Sequence, residues 1–269
     1  FKPHNDNTNT EHGFVSKLAV DNDTYIAAWL DGRQHALAEI DSTINKRMTL
    51  RSALINSKGT LLEEHLIDDS VCDCCQTDIA MTKEGPIVVY RNRTDNEIRD
   101  IYYSKKVHNL WTEPKPIFND NWTIAGCPVN GPAISAKDNK VVVSWFTMAN
   151  DIPKVNIAFS NNNGSTFNEP IEIISNSTMG RLDVELLNNG NAIVSSMNNN
   201  LGTSEILLHY VTPQGKVLEP LIVSETTNTR SSGFPRMAIH DNKIYMAWTS
   251  TEDNLKVQSA EISIIDFNK

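Results

Sequence analysis

Apolar and polar positions along the chain follow a pattern that recurs about every fifty residues. In each copy an apolar residue precedes a polar turn and a second apolar run. In four copies this second run contains an aromatic residue eleven positions after the first apolar residue. These pairs are Leu18 with Trp29, Ile79 with Tyr90, Ile134 with Trp145 and Met237 with Trp248. In the remaining copy Ser196 follows Val184 after twelve positions. Repetition at this period indicates one supersecondary unit that buries its apolar face against neighbouring copies.

Each repeat predicts four short strands. In the second repeat, β-branched and aromatic runs occupy 77–81, 86–90, 100–104 and 111–118, and polar or glycine-containing turns separate them. No segment shows a sustained helical period. Four-stranded antiparallel units in series are typical of propeller blades, so we expect an all-β fold, a β-propeller with five blades visible.

The fourth strand of the predicted blade carries a recurring proline. Glu-Pro pairs occur at Pro114, Pro170 and Pro220. Proline has no amide hydrogen, so it is tolerated in an outermost strand, where no ladder hydrogen bond is lost. The position of these prolines therefore supports the assignment of the outer edge of each blade.

We expect a single domain over residues 1–269. The predicted blades lie near 11–70, 71–121, 122–175, 176–225 and 226–269. Residues 1–10 are interpreted as the end of a preceding or closing blade, because Phe1–Asp6 is similar to the fourth-strand segment Lys115–Asp120 and the last repeat lacks a fourth strand. Two alternatives follow: Phe1–His4 closes a five-bladed ring, or the chain derives from a six- or seven-bladed parent, which we favour.

Composition and charge narrow the classes of partner. The chain has 269 residues, 39% of them hydrophobic, which is enough for a sizeable core, and no apolar run is long enough to span a membrane. A net charge of −9 argues against a nucleic-acid partner. The start at Phe1, without Met or a leader, indicates a removed signal segment or a trimmed N-terminus. We therefore expect a periplasmic or secreted protein with a small-molecule or carbohydrate ligand, or a metal ion.

One turn of the third repeat resembles the Asp-box of sialidase-like propellers. It spans Ser160–Phe167, with Asn162 in the place of the aspartate and Phe167 in the place of the tryptophan. Further stretches, over nearly the whole chain, are similar to the bacterial sialidase-like or BNR-repeat family: 11–14, 29–33, 71–77 with its Cys-Asp-Cys-Cys, 90–93, 97–101, 126–132 and 232–236. The box itself predicts a structural turn, since short polar side chains bond their own backbone and glycine takes a positive φ.

Propeller geometry places distant residues on one face. Residues before the first strand and after the second strand of every blade lie at the same channel mouth. This set contains all four cysteines, five arginines and nearby polar residues: Glu11, His12, Asp31, Arg33, Cys72–Cys75, Arg91, Arg93, Cys127, Gly180, Arg181 and Arg230. We therefore expect one site to draw on thiols, imidazole and guanidinium groups.

The cysteines allow two interpretations. Cys72 and Cys127 stand seven residues before Ile79 and Ile134, so they occupy equivalent positions on adjacent blades and could form a disulfide outside the cytoplasm. Alternatively, Cys74, Cys75 and Cys127, together with His12, could bind copper(I) or zinc, which suit soft sulfur ligands. The sequence leaves both open.

The arginines are the basis for expecting an enzyme. Sialidases, which the chain resembles, bind the carboxylate of their sugar through three arginines, because the planar guanidinium pairs a carboxylate bidentately. The candidates for this substrate-binding role are Arg33, Arg91, Arg93, Arg181 and Arg230. The alternative is a structural network in which these arginines pair with Glu11, Asp31, Asp73 and Glu97.

The resemblance implies a glycoside hydrolase of the exo-α-sialidase type, binding a carboxylated sugar. The Arg-Ile-Pro motif and the tyrosine nucleophile of sialidases are not evident, so the catalytic residues stay unassigned. Asp31 and Asp73 are the only carboxyl pair that suggests itself for glycosidic cleavage. A metal-binding propeller using copper or zinc and a non-catalytic binding module are the two alternatives.

Overall fold

The structure, a computed structural model, describes residues 2–200, 203–251 and 255–268 of the 269-residue chain. These residues form twenty β-strands, one α-helix and three short 3-10 segments. The chain divides into two compact units, residues 1–131 and 132–269.

The first unit contains two antiparallel sheets. Sheet 1 consists of β1 (His12–Ala19), β2 (Thr24–Asp31), β3 (Met48–Asn56) and β4 (Leu61–Val71), paired in chain order. Sheet 2 consists of β5 (Asp78–Thr82), β6 (Gly85–Arg91), β7 (Ile101–Val107) and two short outer strands, β8 (Leu110–Trp111) and β9 (Lys115–Pro116), which both pair with β7. A core of Ile, Leu, Val and Met side chains from the two sheets, with Tyr90, lies inside this unit.

Helix α1 (Arg33–Ile40), between β2 and β3, was not expected from the sequence. Its alanine, leucine, glutamine and glutamate residues favour a helix intrinsically. None of its residues is buried, so the apolar stripe that marks a helix in a sequence is absent. No helix in the described part of the chain has the length and apolar composition needed to cross a membrane.

The second unit contains three antiparallel sheets. Sheet 3 consists of β10 (Ala133–Lys137), β11 (Lys140–Thr147), β12 (Lys154–Ser160) and β13 (Ile171–Ser175). Sheet 4 consists of β14 (Thr178–Leu186), β15 (Ala192–Asn200), β16 (Thr203–Val211) and β17 (Leu221–Thr226). Sheet 5 consists of β18 (Arg236–His240), β19 (Lys243–Ser250) and β20 (Lys256–Ser263). The 3-10 segments are Ala149–Asp151, Arg230–Ser232 and Ile264–Asn268.

The all-β class and the four-stranded antiparallel unit are confirmed, and strands paired in chain order are typical of propeller blades. Sheet 5 has three strands among the residues that the structure describes. Residues 2–11 lie in no strand, and Phe1 of the predicted closing segment lies outside the described residues. The number of blades and the limits of the domain therefore stay predictions.

The aromatic positions of the repeat all lie in the second strand of a sheet: Trp29, Tyr90, Trp145 and Trp248. All four are buried, as expected for a repeat that buries its apolar face. In sheet 4 the corresponding residue is Ser196, whose hydroxyl lies 2.9 Å from Nε2 of the buried His209. Sheet 4 therefore has a buried serine–histidine hydrogen bond at this position of the repeat.

The Asp-box-like segment forms the structural turn predicted for it. The Gly164 amide donates to Ser160 Oγ (3.0 Å), and the Thr166 amide donates to Asn162 Oδ1 (3.1 Å). Gly164 has a φ of +72°, a conformation that glycine adopts without steric cost. The turn connects β12 to β13 and carries no reactive group.

The recurring prolines lie at the outer edges of their sheets. Pro114, Pro170 and Pro220 each immediately precede an outer strand: β9, β13 and β17. Each proline thus occupies the start of the strand with one free edge, where its missing amide hydrogen costs no ladder bond.

Candidate functional site

Three of the four cysteines lie in one turn between β4 and β5. The Cys72 amide donates to the Arg91 carbonyl (3.0 Å), which fixes the start of this turn against β6. Cys72 Sγ lies 2.9 Å from Cys75 Sγ and 3.9 Å from Cys74 Sγ. The turn therefore gathers three sulfur atoms within 4.8 Å of one another.

Cys127 is bonded to Cys74, and the two Cα atoms lie 6.1 Å apart. The predicted pairing of Cys72 with Cys127 is therefore wrong in its partner, and Cys72 and Cys75 are free thiols. Equal spacing from Ile79 and Ile134 located the correct turn, but it did not fix which side chain of the turn faces Cys127. Cys72 is fully buried beside Cys75, whereas Cys74 is only partly buried.

The segment that carries Cys127 is held tightly against this turn. The Gly131 amide donates to Gln76 Oε1 (3.0 Å). A Cβ atom on Gly131 would lie 1.9 Å from the Gln76 carbonyl oxygen, so no other residue fits here without a backbone shift. Close backbone approach explains this glycine of the 126–132 stretch.

The free thiols of Cys72 and Cys75 differ in pKa because their surroundings differ. Arg99 Nη1 donates to Cys72 Sγ (3.5 Å). The hydrogen bond from Cys75, together with the positive charges of Arg91 and Arg99, lowers the pKa of Cys72 to about 6. Burial raises the pKa of Cys75 well above its usual value. The pair therefore holds a thiolate at Cys72 and a thiol at Cys75 near neutral pH.

Arg91 is a structural residue and not an exposed ligand for substrate. Its side chain is 1% exposed. Its guanidinium donates to the Asn130 carbonyl from Nε (3.0 Å) and Nη2 (2.8 Å), and to the Arg99 carbonyl from Nη1 (2.6 Å). The guanidinium also lies over the Trp122 ring, 4.9 Å from its centroid. Arg91 thus ties together the loops that carry Cys127 and Arg99.

Arg93 and Arg99 form an ion-pair network at an open cavity. Arg93 Nη1 lies 3.1 Å from Asp73 Oδ2, and Arg93 Nη2 lies 2.7 Å from Glu97 Oε1. Arg99 Nη2 lies 2.8 Å from Glu97 Oε2. Hydrogen bonds from Arg93 and then Arg99 lower the pKa of Glu97. The alternative expectation, that the arginines pair with acidic residues of the same loops, is confirmed for Arg93.

Arg33 and His12 belong to a second cluster of the first unit. Arg33 Nε lies 2.8 Å from Asp31 Oδ1, and Arg33 Nη2 lies 2.7 Å from Glu64 Oε1. His12 Nε2 lies 2.7 Å from Asp6 Oδ2 and 3.3 Å from Asp31 Oδ2. The predicted metal site of His12 with Cys74, Cys75 and Cys127 is therefore corrected: His12 groups with His4 and Asp6, and the thiols group with one another.

The second unit contains Arg181 and Arg230. Arg181 Nη1 donates to the Thr229 carbonyl (2.9 Å) and to Ser232 Oγ (2.8 Å), so it fastens the 3-10 segment that begins at the exposed Arg230. Burial and then the charge of Arg230 lower the pKa of Arg181. Arg33, Arg91 and Arg93 belong to the first unit, and a common cluster of all five arginines stays a prediction.

Sequence reasoning gave no role to Arg99, His4 or Asp6. Arg99 follows Glu97 by two residues, and this alternation of opposite charges in one loop is the signal that could have identified it. His4 and Asp6 are likewise two residues apart, and both precede His12. No spacing relative to the repeat identifies them, because they precede its first strand.

No protein-family model matches this sequence, and no curated protein matches it. Among solved structures, a fucose-specific lectin from Aleuria aurantia is similar over 93% of this chain and 76% of its own, at 6% identity and a TM-score of 0.53. An α-L-arabinofuranosidase from Podospora anserina in complex with cellotriose is similar over 94% of this chain and 90% of its own, at 10% identity and a TM-score of 0.49. A thermostable family-43 glycoside hydrolase is similar over 93% and 89%, at 10% identity and a TM-score of 0.47.

At such low sequence identities the similarity shows the fold alone. The evidence for the fold is the similarity to the lectin, which has a TM-score of 0.53. It agrees with the propeller class that the strand order of the sheets indicates. The narrower resemblance to the sialidase-like family is not among these likenesses and stays a prediction.

Proposed function

We propose that this chain is a propeller-fold carbohydrate-binding protein whose sugar site lies beside Cys127 in the first unit. The observation that carries the proposal is a cavity of about 310 Å³ at the ion-pair network. It is lined by Asp73, Arg93, Glu97, Arg99, Ala125, Gly126 and Cys127. This volume is at the lower end of ligand pockets and suits one or two sugar rings.

The chemistry of the lining suits hydroxyl groups, which both donate and accept hydrogen bonds. Arg93 supplies donors between two carboxylate acceptors, Asp73 and Glu97, and the ion pairs hold all three in place. Neighbouring donors and acceptors of this kind recognise the adjacent hydroxyls of a sugar.

The same geometry favours binding over hydrolysis. Glycosidic cleavage needs a carboxylic acid that stays protonated near neutral pH. Glu97 has a lowered pKa because Arg93 and Arg99 donate to it, so it stays ionised. Asp31 is fully buried and paired with Arg33 in the other cluster, so it does not serve as the partner of Asp73. The non-catalytic binding module is therefore the preferred alternative.

A neutral sugar fits better than a carboxylated one. A sugar carboxylate approaching Arg93 meets the negative charges of Asp73 and Glu97, which already occupy the guanidinium. The Cys74–Cys127 disulfide at the cavity suits an oxidising compartment, so we include a periplasmic or secreted location in the proposal.

Calorimetry and saturation-transfer NMR with two groups of sugars test the proposal. The neutral group contains L-fucose, L-arabinose and D-mannose, and the carboxylated group contains N-acetylneuraminic and glucuronic acids. We expect a neutral sugar to bind, and Arg93→Ala and Glu97→Gln to weaken binding at least about tenfold, since each removes a charged hydrogen-bond partner.

Arg47→Ala is the matched control, because Arg47 and Arg93 are both 28% exposed and Arg47 is paired with Asp95 outside this cavity. Unchanged sugar affinity in Arg93→Ala, or no binding of any sugar, would contradict the proposal. Binding of the carboxylated group alone would restore the sialidase-like alternative, which release of nitrophenol from a sialoside would then test for catalysis.

The thiols support a second candidate function, a metal-binding site. Three sulfur atoms lie within 4.8 Å, and the fourth, of Cys127, is bonded to one of them. A tetrahedral zinc with bonds of about 2.3 Å places its sulfur ligands about 3.8 Å apart. The 3.9 Å between Cys72 and Cys74 matches this separation. With the disulfide reduced, the set becomes Cys72, Cys74, Cys75 and Cys127, and Cys72 replaces the predicted His12.

Elemental analysis of protein purified under reducing conditions without chelator tests this second candidate. We expect the reduced protein to hold about one equivalent of zinc or copper more than Cys72→Ser does, because four thiolates form a complete tetrahedral site. The same measurement on oxidised protein is the control. Reduced protein without bound zinc or copper rules this candidate out.

A further inference from the structure

We infer that His4, Asp6 and His12 form a binding site for a divalent transition-metal ion of the zinc class, separate from the cysteines. The three side chains come from the segment before β1 and from the first residue of β1. One ligand atom from each lies within 4.8 Å of the others. Two imidazoles with a carboxylate form a common ligand set for zinc and related ions.

The separations fit a small tetrahedral ion. Metal–ligand bonds of about 2.0–2.1 Å place neighbouring ligands about 3.3 Å apart. Asp6 Oδ2 lies 2.7 Å from His12 Nε2 and 3.9 Å from His4 Nδ1, and Asp31 Oδ2 lies 3.3 Å from His12 Nε2. These distances bracket the expected value, so small side-chain adjustments bring the atoms to an ion between them.

The imidazole nitrogens need a partner. His4 Nδ1 is buried and accepts or donates no hydrogen bond in the described part of the chain, and the same holds for His12 Nδ1. The two rings lie 4.3 Å apart between centroids. An ion coordinated by His4 Nδ1 satisfies a nitrogen that is otherwise buried without a partner.

A second layer of contacts holds the carboxylates in position. The Thr8 amide donates to Asp6 Oδ1 (2.8 Å), and Thr8 Oγ1 donates to Asp6 Oδ2 (3.0 Å). Trp29 Nε1 and Arg33 Nη2 each donate to Asp31 Oδ2 at 2.8 Å. Such outer contacts orient metal ligands and tune their affinity.

Charge also favours a cation. Arg33 lies close, but it is paired with Asp31 and Glu64, and Arg51 also pairs with Glu64. The carboxylates Asp6, Asp31 and Glu64 therefore outnumber the two guanidinium groups by one. Only the carboxylate of Asp6 has no arginine partner within this group.

Titration with Co²⁺, followed by its visible absorption, and competition by Zn²⁺ test the inference on the full chain. The titrations use the Cys72→Ser/Cys75→Ser double variant with the Cys74–Cys127 disulfide intact, so that cobalt–thiolate absorption in the near ultraviolet does not contribute. We expect one equivalent of Co²⁺ to bind and Zn²⁺ to displace it. His4→Gln, Asp6→Asn and His12→Gln should each weaken binding at least about tenfold.

His65→Gln is the matched control, because His65 pairs with Glu63 at 3.1 Å in the same unit but belongs to no metal-ligand group. Asp6 lies in no strand, so Asp6→Asn leaves the sheets intact, which circular dichroism verifies. The inference is overturned if the folded double variant binds no Co²⁺, or if His4→Gln and Asp6→Asn bind it as tightly as the chain without these substitutions.

Discussion

Cys72 Sγ lies 2.9 Å from Cys75 Sγ, and the buried Cys75 thiol stabilises negative charge on its neighbour. Two cysteines three residues apart in one turn are therefore chemically unequal. Cys72 has the character of a thiolate and Cys75 that of a neutral thiol, although both are buried.

Absorbance of the thiolate in the ultraviolet, followed against pH, measures this inequality. The hydrogen bond from Cys75 and the charges of Arg91 and Arg99 lower the pKa of Cys72, so we expect a transition centred near pH 6. Cys72→Ser should abolish the transition. Cys75→Ala should move it to higher pH, since the strongest stabilising contact, the hydrogen bond from the Cys75 thiol, is lost. A transition that persists in Cys72→Ser would assign the titration to another group.

The Cys74–Cys127 bond closes a loop between residues 53 positions apart. Chain entropy predicts that breaking it destabilises the first unit by about 4 kcal/mol. We expect Cys127→Ser and Cys74→Ser to lower the urea midpoint equally, and reductant to lower the midpoint of the unsubstituted protein to a similar value.

Thiol counting provides the control for this pairing. Under non-reducing conditions Cys74→Ser should expose a free Cys127, whereas Cys72→Ser should leave the bond to Cys127 intact. The reverse result would restore the Cys72–Cys127 pairing expected from the repeat.

His209, a buried histidine of sheet 4, makes the free energy of unfolding depend on pH in the acid range. Burial lowers the pKa of His209 to about 4. Between pH 4 and pH 6.5 the unfolded chain binds a proton at this histidine and the folded chain does not, so stability falls as pH falls through this window. The difference corresponds to about 3 kcal/mol.

Chemical denaturation at pH 7 and at pH 4.5 should reveal this contribution as a difference between proteins. We expect His209→Gln to lose less stability on acidification than the unsubstituted chain, because its side chain takes up no proton. His240→Gln is the control, since His240 is exposed on the neighbouring sheet 5. Identical pH dependence of the unsubstituted chain and His209→Gln would contradict the prediction.

Gly131 should not accept a side chain. The Cβ atom of Gly131→Ala would lie 1.9 Å from the Gln76 carbonyl oxygen, so the segment that carries Cys127 must shift. We expect a loss of about 1–3 kcal/mol in denaturant unfolding, the usual range for overpacking. Gly126→Ala, which would meet only the Ile124 side chain at 3.7 Å, should change stability little. Equal effects at the two positions would disprove the steric explanation.

The fold could be predicted because its signals are local and repeated. The spacing of Ile79 to Tyr90 and of Ile134 to Trp145 reflects two strands joined by a turn, and the structure pairs those strands as expected. Helix α1 could not be predicted, since no apolar stripe marks a helix whose residues are all solvent-accessible to some degree.

The candidate site was predicted only in its location. The repeat brought Cys74 and Cys127 to neighbouring loops, but side-chain direction within a four-residue turn decides which sulfur atoms meet. Arg91 and Arg93 are two residues apart, yet they differ in burial. Arg91 is enclosed by carbonyl groups, whereas Arg93 lines a cavity. Such distinctions depend on tertiary packing, which sequence spacing does not encode.

The prolines before β9, β13 and β17 also bear on self-association. A free strand edge invites hydrogen bonding with the edge of another molecule, and this is a common route to aggregation. At Pro114, Pro170 and Pro220 the chain enters its outer strand without an amide hydrogen to offer. The residues that mark the repeat in the sequence thus also help to keep separate copies of the protein from joining their sheets in concentrated solution.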